Sequence, residues 1–364
     1  MSFRRKLTAT VIVLFCTAVF RGTLTVYDVA SASAISCGIS ISAIAVDPKN
    51  PEVVYAINGL ENVLYKSADG GDNWNAVGDA IFRTRVIIID PKNPLTIYVG
   101  RHKSIDGGKT WHFMRKGLDE TINFSKVMIC PNNTEILYSL TDNNGVYKSI
   151  NGGTSWTAIG DEKLGTCRAL AMDPNNSNVL YGHFERKITN SLGRIKDIYG
   201  REYGITGGIY KSVDGGATWI SSLPSVGITE LAVAPSNSAI VYAVNRQYGV
   251  YRSLNGGNQW YRINHRLPNN AQVLNFVFDR VYPERMYART THGLFTGNIY
   301  SNDWSGWSSV GPESKDNVLT LAINPQNSKN IYVGTSNLGI FRTTDGGITW
   351  EGDNRGIRAL PSCP

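Results

Sequence analysis

The feature that most restricts the fold is a ten-residue segment that occurs six times along the chain. The first copy is Tyr65–Trp74, with the sequence YKSADGGDNW, and the other five end at Trp111, Trp156, Trp219, Trp260 and Trp350. Every copy has Ser or Thr, then Asp or Asn, a Gly pair and a Trp at fixed spacing. A repeat of this kind predicts an array of similar supersecondary units.

Each residue type in this segment suits a tight hairpin, which we call the repeated turn. An Asp or Asn side chain accepts hydrogen bonds from backbone N–H groups ahead of it, and the Gly pair accepts positive φ. The Trp buries a large surface, and its indole N–H is expected to find a partner at the edge of the sheet. We therefore predict a structural role for Ser67, Asp69, Gly71, Trp74, Ser104, Asp106, Gly108, Trp111, Ser149, Asn151, Gly153, Trp156, Ser212, Asp214, Gly216, Trp219, Ser253, Asn255, Gly257, Trp260, Thr343, Asp345, Gly347 and Trp350.

The residues around each repeated turn complete a four-stranded unit. The first unit has an apolar strand at 42–46, a turn at 47–51, strands at 53–57 and 63–67, and a last strand from Trp74. Short aromatic and β-branched runs between polar turns are typical of strands. The same order returns seven times, although the sixth unit has lost the Gly pair.

Four-stranded units of about 40 residues predict a β-propeller. We predict an all-β chain folded as a seven-bladed β-propeller of four-stranded antiparallel blades, with the repeated turn between the outer two strands. The propeller covers 39–357 and is followed by a C-terminal tail at 358–364. The predicted blades are 39–79, 80–117, 118–162, 163–224, 225–266, 267–312 and 313–357.

The first 34 residues resemble a targeting segment. Arg4, Arg5 and Lys6 precede an apolar run at 8–20, which is shorter than the about 20 residues that span a bilayer. Ala32-Ser33-Ala34 offers a small-residue cleavage site. We predict a signal peptide at 1–34, export to the periplasm or the extracellular space, and no transmembrane segment in the mature chain. An uncleaved anchor is the alternative.

Net charge gives no support for nucleic-acid binding. The whole chain carries +7, but without residues 1–34 the 32 basic and 28 acidic residues leave +4. A basic domain or stripe would be expected of a nucleic-acid binder. The expected partner is therefore a protein or a polysaccharide; the oligomeric state is not predicted.

The repeated turn resembles the Asp-box, or bacterial neuraminidase, repeat. The phrase before it, Asp47-Pro48-Lys49-Asn50-Pro51 followed by Val54-Tyr55-Ala56, is similar to that of three propeller groups. These are xyloglucan-hydrolysing glycosidases, sortilin-type receptors and photosystem II stability/assembly-factor-like proteins. The resemblance covers about 39–352 and implies a propeller, but propellers host many unrelated activities.

Strand alternation assigns every turn to one of two faces. The regular face carries the Asp-Pro turns and the repeated turns, whereas the variable face carries the middle hairpins and the connections between blades. A residue present in every blade is most simply structural, so we look for function on the variable face. The largest departure from the repeat is an insertion between Tyr181 and Gly208.

Basic residues at the starts of three inner strands lie next to this insertion in the predicted ring. Together with the insertion they would form a basic patch able to bind a carboxylate, a phosphate or an acidic protein surface. Scattered solvated charge, with Glu120, Asp161, Glu162 and Glu230 nearby, is the alternative. The candidate binding residues are Arg85, Lys126, Arg168, Arg186, Lys187, Arg194, Lys196, Tyr199, Arg201 and Tyr203.

Catalytic signatures are weak. A sialidase needs a Tyr–Glu pair, but Glu202 and Tyr203 are neighbours on a strand and would point to opposite sides. Glycosidases need two carboxylates across the scissile bond, and no such pair stands out among Asp197, Glu202, Glu230 and Asp316. No zinc or nucleophile motif is present. We predict no catalytic residue, no metal and no cofactor.

The cysteines of the mature chain fall into two groups. Cys130 ends an inner strand and Cys167 begins one, so they should lie roughly 20 Å apart on opposite faces, beyond disulfide reach. Cys37 and Cys363 flank the propeller on the variable face, where the last blade meets the first. We predict a Cys37–Cys363 disulfide that closes the ring.

These observations favour an exported, non-catalytic binding or assembly-scaffold propeller. Its ligand, a protein or an anionic or carbohydrate molecule, would bind on the face that bears the blade-four insertion. The alternative is a glycoside hydrolase or carbohydrate-binding protein acting on extracellular polysaccharide.

Overall fold

Seven four-stranded antiparallel sheets follow one another along the chain. The structure is a computed structural model that describes residues 38–77, 82–142, 145–159, 164–187, 195–196, 202–203, 205–225, 227–245, 247–263, 271–301, 308–312, 316–352 and 354–359. Its regular elements are all β-strands, so the predicted seven-bladed all-β propeller is confirmed. Among these residues no helix has the length and apolar character needed to cross a membrane.

The first two strands of each blade form its inner half. The innermost strands are β1 (Ile41–Val46), β5 (Ile87–Ile89), β9 (Phe124–Ile129), β13 (Thr166–Met172), β19 (Ile228–Val233), β23 (Val273–Phe278) and β27 (Val318–Ile323). The second strands are β2 (Val54–Asn58), β6 (Ile97–Val99), β10 (Leu137–Thr141), β14 (Leu180–Lys187), β20 (Val241–Asn245), β24 (Arg285–Thr290) and β28 (Ile331–Thr335). The second strands are almost wholly buried, as their Val, Ile, Leu and Tyr content predicts.

The outer half of each blade contains strands three and four. The third strands are β3 (Val63–Ser67), β7 (His102–Ser104), β11 (Gly145–Ser149), β17 (Ile205–Ser212), β21 (Gly249–Ser253), β25 (Gly293–Asn298) and β29 (Ile340–Thr343). The fourth strands are β4 (Asn75–Ala76), β8 (His112–Phe113), β12 (Thr157–Ala158), β18 (Ile220–Leu223), β22 (Tyr261–Arg262), β26 (Ser308–Ser309) and β30 (Glu351–Gly352). In blade four the insertion adds a two-stranded hairpin of β15 (Ile195–Lys196) and β16 (Glu202–Tyr203).

The hydrophobic core is divided into seven clusters, one at each interface between neighbouring blades. The cluster between blades one and two joins Ile57 and Leu64 to Ile87 and Val99. The cluster between blades seven and one joins Tyr332 to Ile44 and Trp74, and it closes the ring in the same way. A blade therefore buries both of its faces only when it has a neighbour on each side.

The repeated turn is a network of short hydrogen bonds. In blade one the Ser67 hydroxyl donates to Asp69 (2.7 Å) and accepts from the N–H of Gly71 (2.8 Å), while Asp69 also accepts from the N–H of Asn73 (2.9 Å). The pair Gly70 and Gly71 has φ of 73° and 103°, which explains why both positions are Gly. Hydrogen bonds from Asn73 and Ser67 lower the pKa of Asp69 to about 2.

The Trp of this turn behaves differently from copy to copy. In three copies, those of Trp156, Trp260 and Trp350, the indole N–H donates to a backbone carbonyl of another residue, at 2.8 to 3.2 Å. In Trp74, Trp111 and Trp219 it is buried with no described hydrogen-bond partner. The predicted partner is thus found in only half of the copies, and burial of the ring is their common feature.

Five of the six repeated turns are also held by the preceding blade, in an arrangement that we call the inter-blade clamp. In blade two the Tyr98 hydroxyl and the Lys103 ammonium both donate to the carbonyl of Gly152 in blade three, at 3.1 and 2.7 Å. The Lys103 Nζ lies 5.5 Å from the centre of the Tyr98 ring. Equivalent donor pairs are Tyr55 with Lys66, Tyr138 with Lys148, Tyr181 with Lys211, Tyr242 with Arg252, and Tyr332 with Arg342.

The interface between blades six and seven lacks this clamp. Blade six has Tyr287 at the usual position but Thr296 instead of Lys or Arg, and no described hydrogen bond joins either side chain to the blade-seven turn. A Cβ added to Gly346 of that turn would meet no atom within 4 Å. Arg285 instead reaches Ser328 of blade seven at 2.8 Å.

Candidate functional site

The channel of the propeller has a different mouth on each face. The mouth on the regular face, which we call the apolar mouth, is lined by Val46, Ile88, Met128, Phe278, Ile323 and several Pro residues, with Arg280 at its edge. The mouth on the variable face, which we call the polar mouth, is a cavity of about 780 Å³. It is lined by Ser40, Ser42, Gly59, Leu60, Asn62, Arg83, Thr84, Arg85, Asn123, Phe124, Ser125, Asp142, Arg289 and Leu319.

A β-bulge near the start of the innermost strand shapes the polar mouth. In six blades the pairing register shifts by one residue there, for example between Ile41 and Ala43. The extra residues Ser42, Ser125 and Leu319 line the cavity. A bulge redirects side chains at a strand end, and in three of these six blades the redirected residue lines the mouth.

Cationic groups outnumber carboxylates in this cavity. Its charged lining consists of Arg83, Arg85 and Arg289 against the single carboxylate of Asp142. Arg83 and Arg85 are exposed, and neither forms an ion pair with a described carboxylate. The polar mouth therefore offers two guanidinium groups without an ion pair among the described residues, and such groups suit bidentate binding of a carboxylate or phosphate.

Arg289 anchors the cationic side of the mouth. Its guanidinium donates to the side chain of Asn275 (3.1 Å) and to the carbonyl of Val318 (3.2 Å). Burial lowers the pKa of Arg289, and the nearby charge of Arg85 lowers it further while Glu230 opposes both. Two like charges near each other, with one of them half-buried, favour an anion between them.

The other two predicted inner-strand residues, Lys126 and Arg168, lie next to carboxylates. Lys126 and Glu230 form an ion pair of 2.8 Å that joins blade three to blade five. Arg168 lies 3.6 Å from Glu185. Of the three inner-strand residues that we predicted, only Arg85 lines the cavity. The described cationic lining of the polar mouth therefore comes from blades two and six, and the share of the insertion in the basic patch stays a prediction.

A buried histidine marks the root of the blade-four insertion. The Nε2 of His183 donates to the carbonyl of Ser225 at 3.1 Å, and the Glu185 carboxylate lies 3.7 Å away. Glu185 also accepts from the N–H of Gly227 at 2.8 Å. Burial lowers the pKa of His183, although Glu185 opposes this shift. These contacts fix the insertion root against the connection to blade five.

Several predicted binding residues lie beyond what the structure describes. Arg194, Tyr199 and Arg201 are outside the described residues, and only the backbone is described for Lys187, Lys196 and Tyr203. Arg186 is described and exposed. The role of the insertion in binding stays a prediction, as does the Cys37–Cys363 disulfide, since neither cysteine is among the described residues.

Arg289 was missed by sequence reasoning, although a signal was present. It occupies the position that follows Tyr-x in the second strand, where other blades have Ile57, Leu140, Val244 or Gly334. A charged residue at a position that is otherwise apolar or Gly is a departure from the repeat. The same comparison identifies His183, which occupies this position in blade four.

The described residues hold no group of three or more His, Cys, Asp or Glu side chains suited to a metal ion. Cys130 and Cys167 are free and buried. Burial raises the pKa of the Cys167 thiol to about 12, so this thiol is not poised as a nucleophile. The described carboxylates near the polar mouth, apart from Asp142, are held by other groups of the fold. Glu61 accepts hydrogen bonds from Asn58 and Tyr65, and Asp316 accepts them from the 336–338 turn. Glu230 is paired with Lys126, and Glu185 accepts from Gly227.

No protein-family model matches this chain. Among curated proteins it is 23% identical over 334 residues to xyloglucanase Xgh74A of Acetivibrio thermocellus, covering 85% of this chain and 32% of that protein. It is 28% identical over 263 residues to a xyloglucanase of Paenibacillus sp, covering 62% of this chain and 25% of that protein. The chain thus spans between a quarter and a third of the length of these relatives.

Solved structures show the same fold. The GH74 enzyme of Niastella koreensis superposes with a TM-score of 0.56 at 19% identity, covering 88% of this chain and 60% of that one. The structure of YCF48 bound to a D1 peptide superposes with a TM-score of 0.57 at 14% identity, covering 84% of this chain and 93% of that one. YCF48 from Cyanidioschyzon merolae superposes with a TM-score of 0.55 at 14% identity, covering 84% of this chain and 95% of that one. At these identities the likeness extends to the propeller fold and no further.

Proposed function

We propose that this protein is a non-catalytic propeller that binds an acidic peptide segment of a partner protein at the polar mouth. The observation that carries the proposal is the pair of exposed guanidinium groups of Arg83 and Arg85, which have no described carboxylate partner and lie beside the half-buried Arg289. Guanidinium groups recognise carboxylates through two parallel hydrogen bonds, and partial enclosure strengthens this interaction. In YCF48, a propeller of similar extent, the ligand of a solved structure is a peptide.

The chemistry of the mouth favours binding over hydrolysis. Hydrolysis of a glycosidic bond needs an acid and a second carboxylate across the bond. Of the described carboxylates, Asp142 alone lines the cavity, and the nearby Glu230 is held by Lys126 at 2.8 Å. We also propose that the repeated turn is an Asp-box repeat and that the protein is exported.

A fluorescence-anisotropy titration tests this proposal. The probe is a fluorescein-labelled decapeptide of alternating Glu and Ala, and the protein is compared with the double variant Arg83→Gln/Arg85→Gln. We expect the double variant to bind at least tenfold more weakly, since each charge-assisted hydrogen bond contributes about 1.5–3 kcal/mol. The matched control is Arg280→Gln, which removes one positive charge from the opposite face and should bind as the parent protein does.

Glycoside hydrolysis is the second candidate, because the curated relatives are xyloglucanases. Release of reducing ends from xyloglucan, lost in Asp142→Asn or Glu230→Gln and kept in Arg280→Gln, would replace the binding proposal with this one. Equal binding of the decapeptide by the parent protein and the double variant would also refute the placement at Arg83 and Arg85.

A further inference from the structure

Blade two is shorter than its neighbours on the variable face. Its second strand ends at Val99, which pairs with His102, so Gly100 and Arg101 form a two-residue turn. In the other six blades the second strand continues at least three residues beyond the common Tyr, but here it continues only one beyond Tyr98. At a rise of about 3.3 Å per residue, the rim of blade two is lower by roughly 7 Å.

The residues at the turn account for this shortening. Gly100 has φ of 53°, as the first central position of a type II′ hairpin turn requires. A Cβ at Gly100 would lie 2.9 to 3.2 Å from the atoms of Thr84. Thr84 therefore leaves no room for a side chain at this position, which accounts for Gly at the turn. We call the hollow beside this low turn the notch.

The notch has the size of one six-membered ring. Its volume is about 140 Å³, and its lining consists of Phe82, Arg83, Thr84, Val99, Arg101, His102, Phe113, Asn123 and Phe124. An apolar cavity of about 150 Å³ is large enough to bind benzene. Phe82, Val99 and Phe124 are buried and supply an apolar floor, whereas Phe113 is 42% exposed and forms an outer wall.

The walls of the notch are aromatic and cationic. His102 packs edge-to-face between Phe82 and Phe113, with ring centres 5.1 and 5.0 Å apart. The Arg101 guanidinium lies 4.6 Å from the centre of the Phe113 ring, and Arg115 lies 5.3 Å from it. The buried Arg101 guanidinium is fixed by hydrogen bonds to backbone carbonyls of Met114 and the 119–122 segment, and the charges of Asp119 and Glu120 lie close enough to act on it. The exposed cation of the notch lining is therefore Arg83.

The notch opens directly into the polar mouth. Arg83, Thr84, Asn123 and Phe124 line both cavities. A peptide with a carboxylate on Arg83 would therefore bring a side chain one or two residues away over the notch, since an extended chain advances about 3.3 Å per residue. An aromatic ring would bury apolar surface on the floor and meet positive charge at its face, an arrangement favoured by the ring quadrupole.

We propose that the notch is a specificity pocket for one aromatic side chain of the acidic peptide bound in the polar mouth. This inference rests on the proposed function. It selects peptides in which Phe, Tyr or Trp lies within two residues of Asp or Glu. The sugar ring of a neutral oligosaccharide is the competing occupant, but the floor of Phe82, Val99 and Phe124 offers no side-chain hydrogen-bond partner to its hydroxyl groups.

The test compares two labelled decapeptides of alternating Glu and Ala, identical except that one central Ala is Phe. We expect the intact protein to bind the Phe peptide about tenfold more tightly, the lower end of the gain from burying such a side chain. In Phe113→Ala the preference should fall below about threefold while the affinity for the all-Ala peptide stays unchanged. The matched control is Tyr261→Ala, which removes an exposed aromatic side chain from the outer strand of blade five and should keep the full preference.

A ¹⁹F-labelled Phe peptide gives a readout that does not depend on a folded variant. Its resonance should shift on binding to the intact protein because of the ring currents of Phe113 and Phe124. If both peptides bind equally well, or if Phe113→Ala keeps the preference, the notch inference is refuted while the proposed function stands. If neither peptide binds, both are refuted. Binding of xyloglucan oligosaccharides that is lost in Phe113→Ala assigns the notch to a sugar and overturns the inference.

Discussion

Removing both donors of one inter-blade clamp should cost more stability than the sum of the two single removals. In blade two, Tyr98 and Lys103 donate to the same carbonyl of the buried Gly152 at 3.1 and 2.7 Å. A carbonyl oxygen accepts two hydrogen bonds. Either donor alone therefore keeps the buried carbonyl paired, and only the double variant leaves it without a partner.

The magnitudes follow from the environment of each group. Tyr98→Phe removes one neutral hydrogen bond, about 1 kcal/mol, and keeps the ring beneath Lys103. Lys103→Met removes a charge-assisted bond from a half-exposed ammonium, again about 1 kcal/mol after solvent screening. The double variant adds the desolvation of an unpaired carbonyl, about 1–3 kcal/mol. We expect a total of about 3–5 kcal/mol, at least about 1 kcal/mol above the sum of the singles.

Urea unfolding followed by tryptophan fluorescence measures this double-mutant cycle, provided that the four proteins share one m value. Tyr287→Phe is the matched control, because this Tyr has the same position in its blade but no described hydrogen bond across to blade seven. Its cost should be smaller than that of Tyr98→Phe. Additive costs in the cycle would refute the shared-acceptor reasoning.

Three further outcomes are expected. The folded-state pKa of Asp69 is about 2, below the unfolded value of about 3.9. The contribution of Asp69 to stability is therefore present above pH 4 and is lost as the pH falls toward 2. Between pH 5 and pH 3 the variant Asp69→Asn should lose less free energy of unfolding than the parent protein, and an equal loss would contradict this reasoning. Native alkylation with iodoacetamide should leave Cys130 and Cys167 unmodified, because both are buried, and urea should expose both; labelling in the native state would contradict their burial. A non-reducing peptide map should contain a Cys37–Cys363 peptide, and free thiols at both positions would show that the ring is not closed by this disulfide.

The sequence was sufficient to predict the fold because six copies of one segment each require the same hairpin turn. The Asp, Gly pair and Trp of the repeated turn require one backbone shape, and the strand spacing between copies requires four strands per blade. The clamp was not predicted, although its residues were visible in the Val-Tyr-Ala and Tyr-Lys-Ser phrases. Its acceptor belongs to the next blade, so the contact depends on ring geometry that one unit cannot reveal.

The candidate site was only partly predictable, for a similar reason. Arg85 could be placed at the mouth by counting strands, because it starts an inner strand. The same count could not show that Lys126 is neutralised by Glu230 from across the channel. It also overlooked Arg289, which lies in a second strand and reaches the mouth only through the packing of blade six. Pairing between distant blades decides which charges remain available to a ligand.

The missing clamp between blades six and seven has a consequence for how the ring comes apart. The last and first blades of the propeller meet where Tyr332 and Arg342 both donate to the Gly70 carbonyl, at 2.8 and 2.6 Å. The junction between the last and the first blade thus has the clamp. Among the described residues, the junction without the clamp lies between blades six and seven, inside the continuous chain. Under heat or mechanical load we therefore expect the ring to open between blades six and seven, while blade seven stays bound to blade one. A circularly permuted chain that begins at blade seven would place its new termini at this junction.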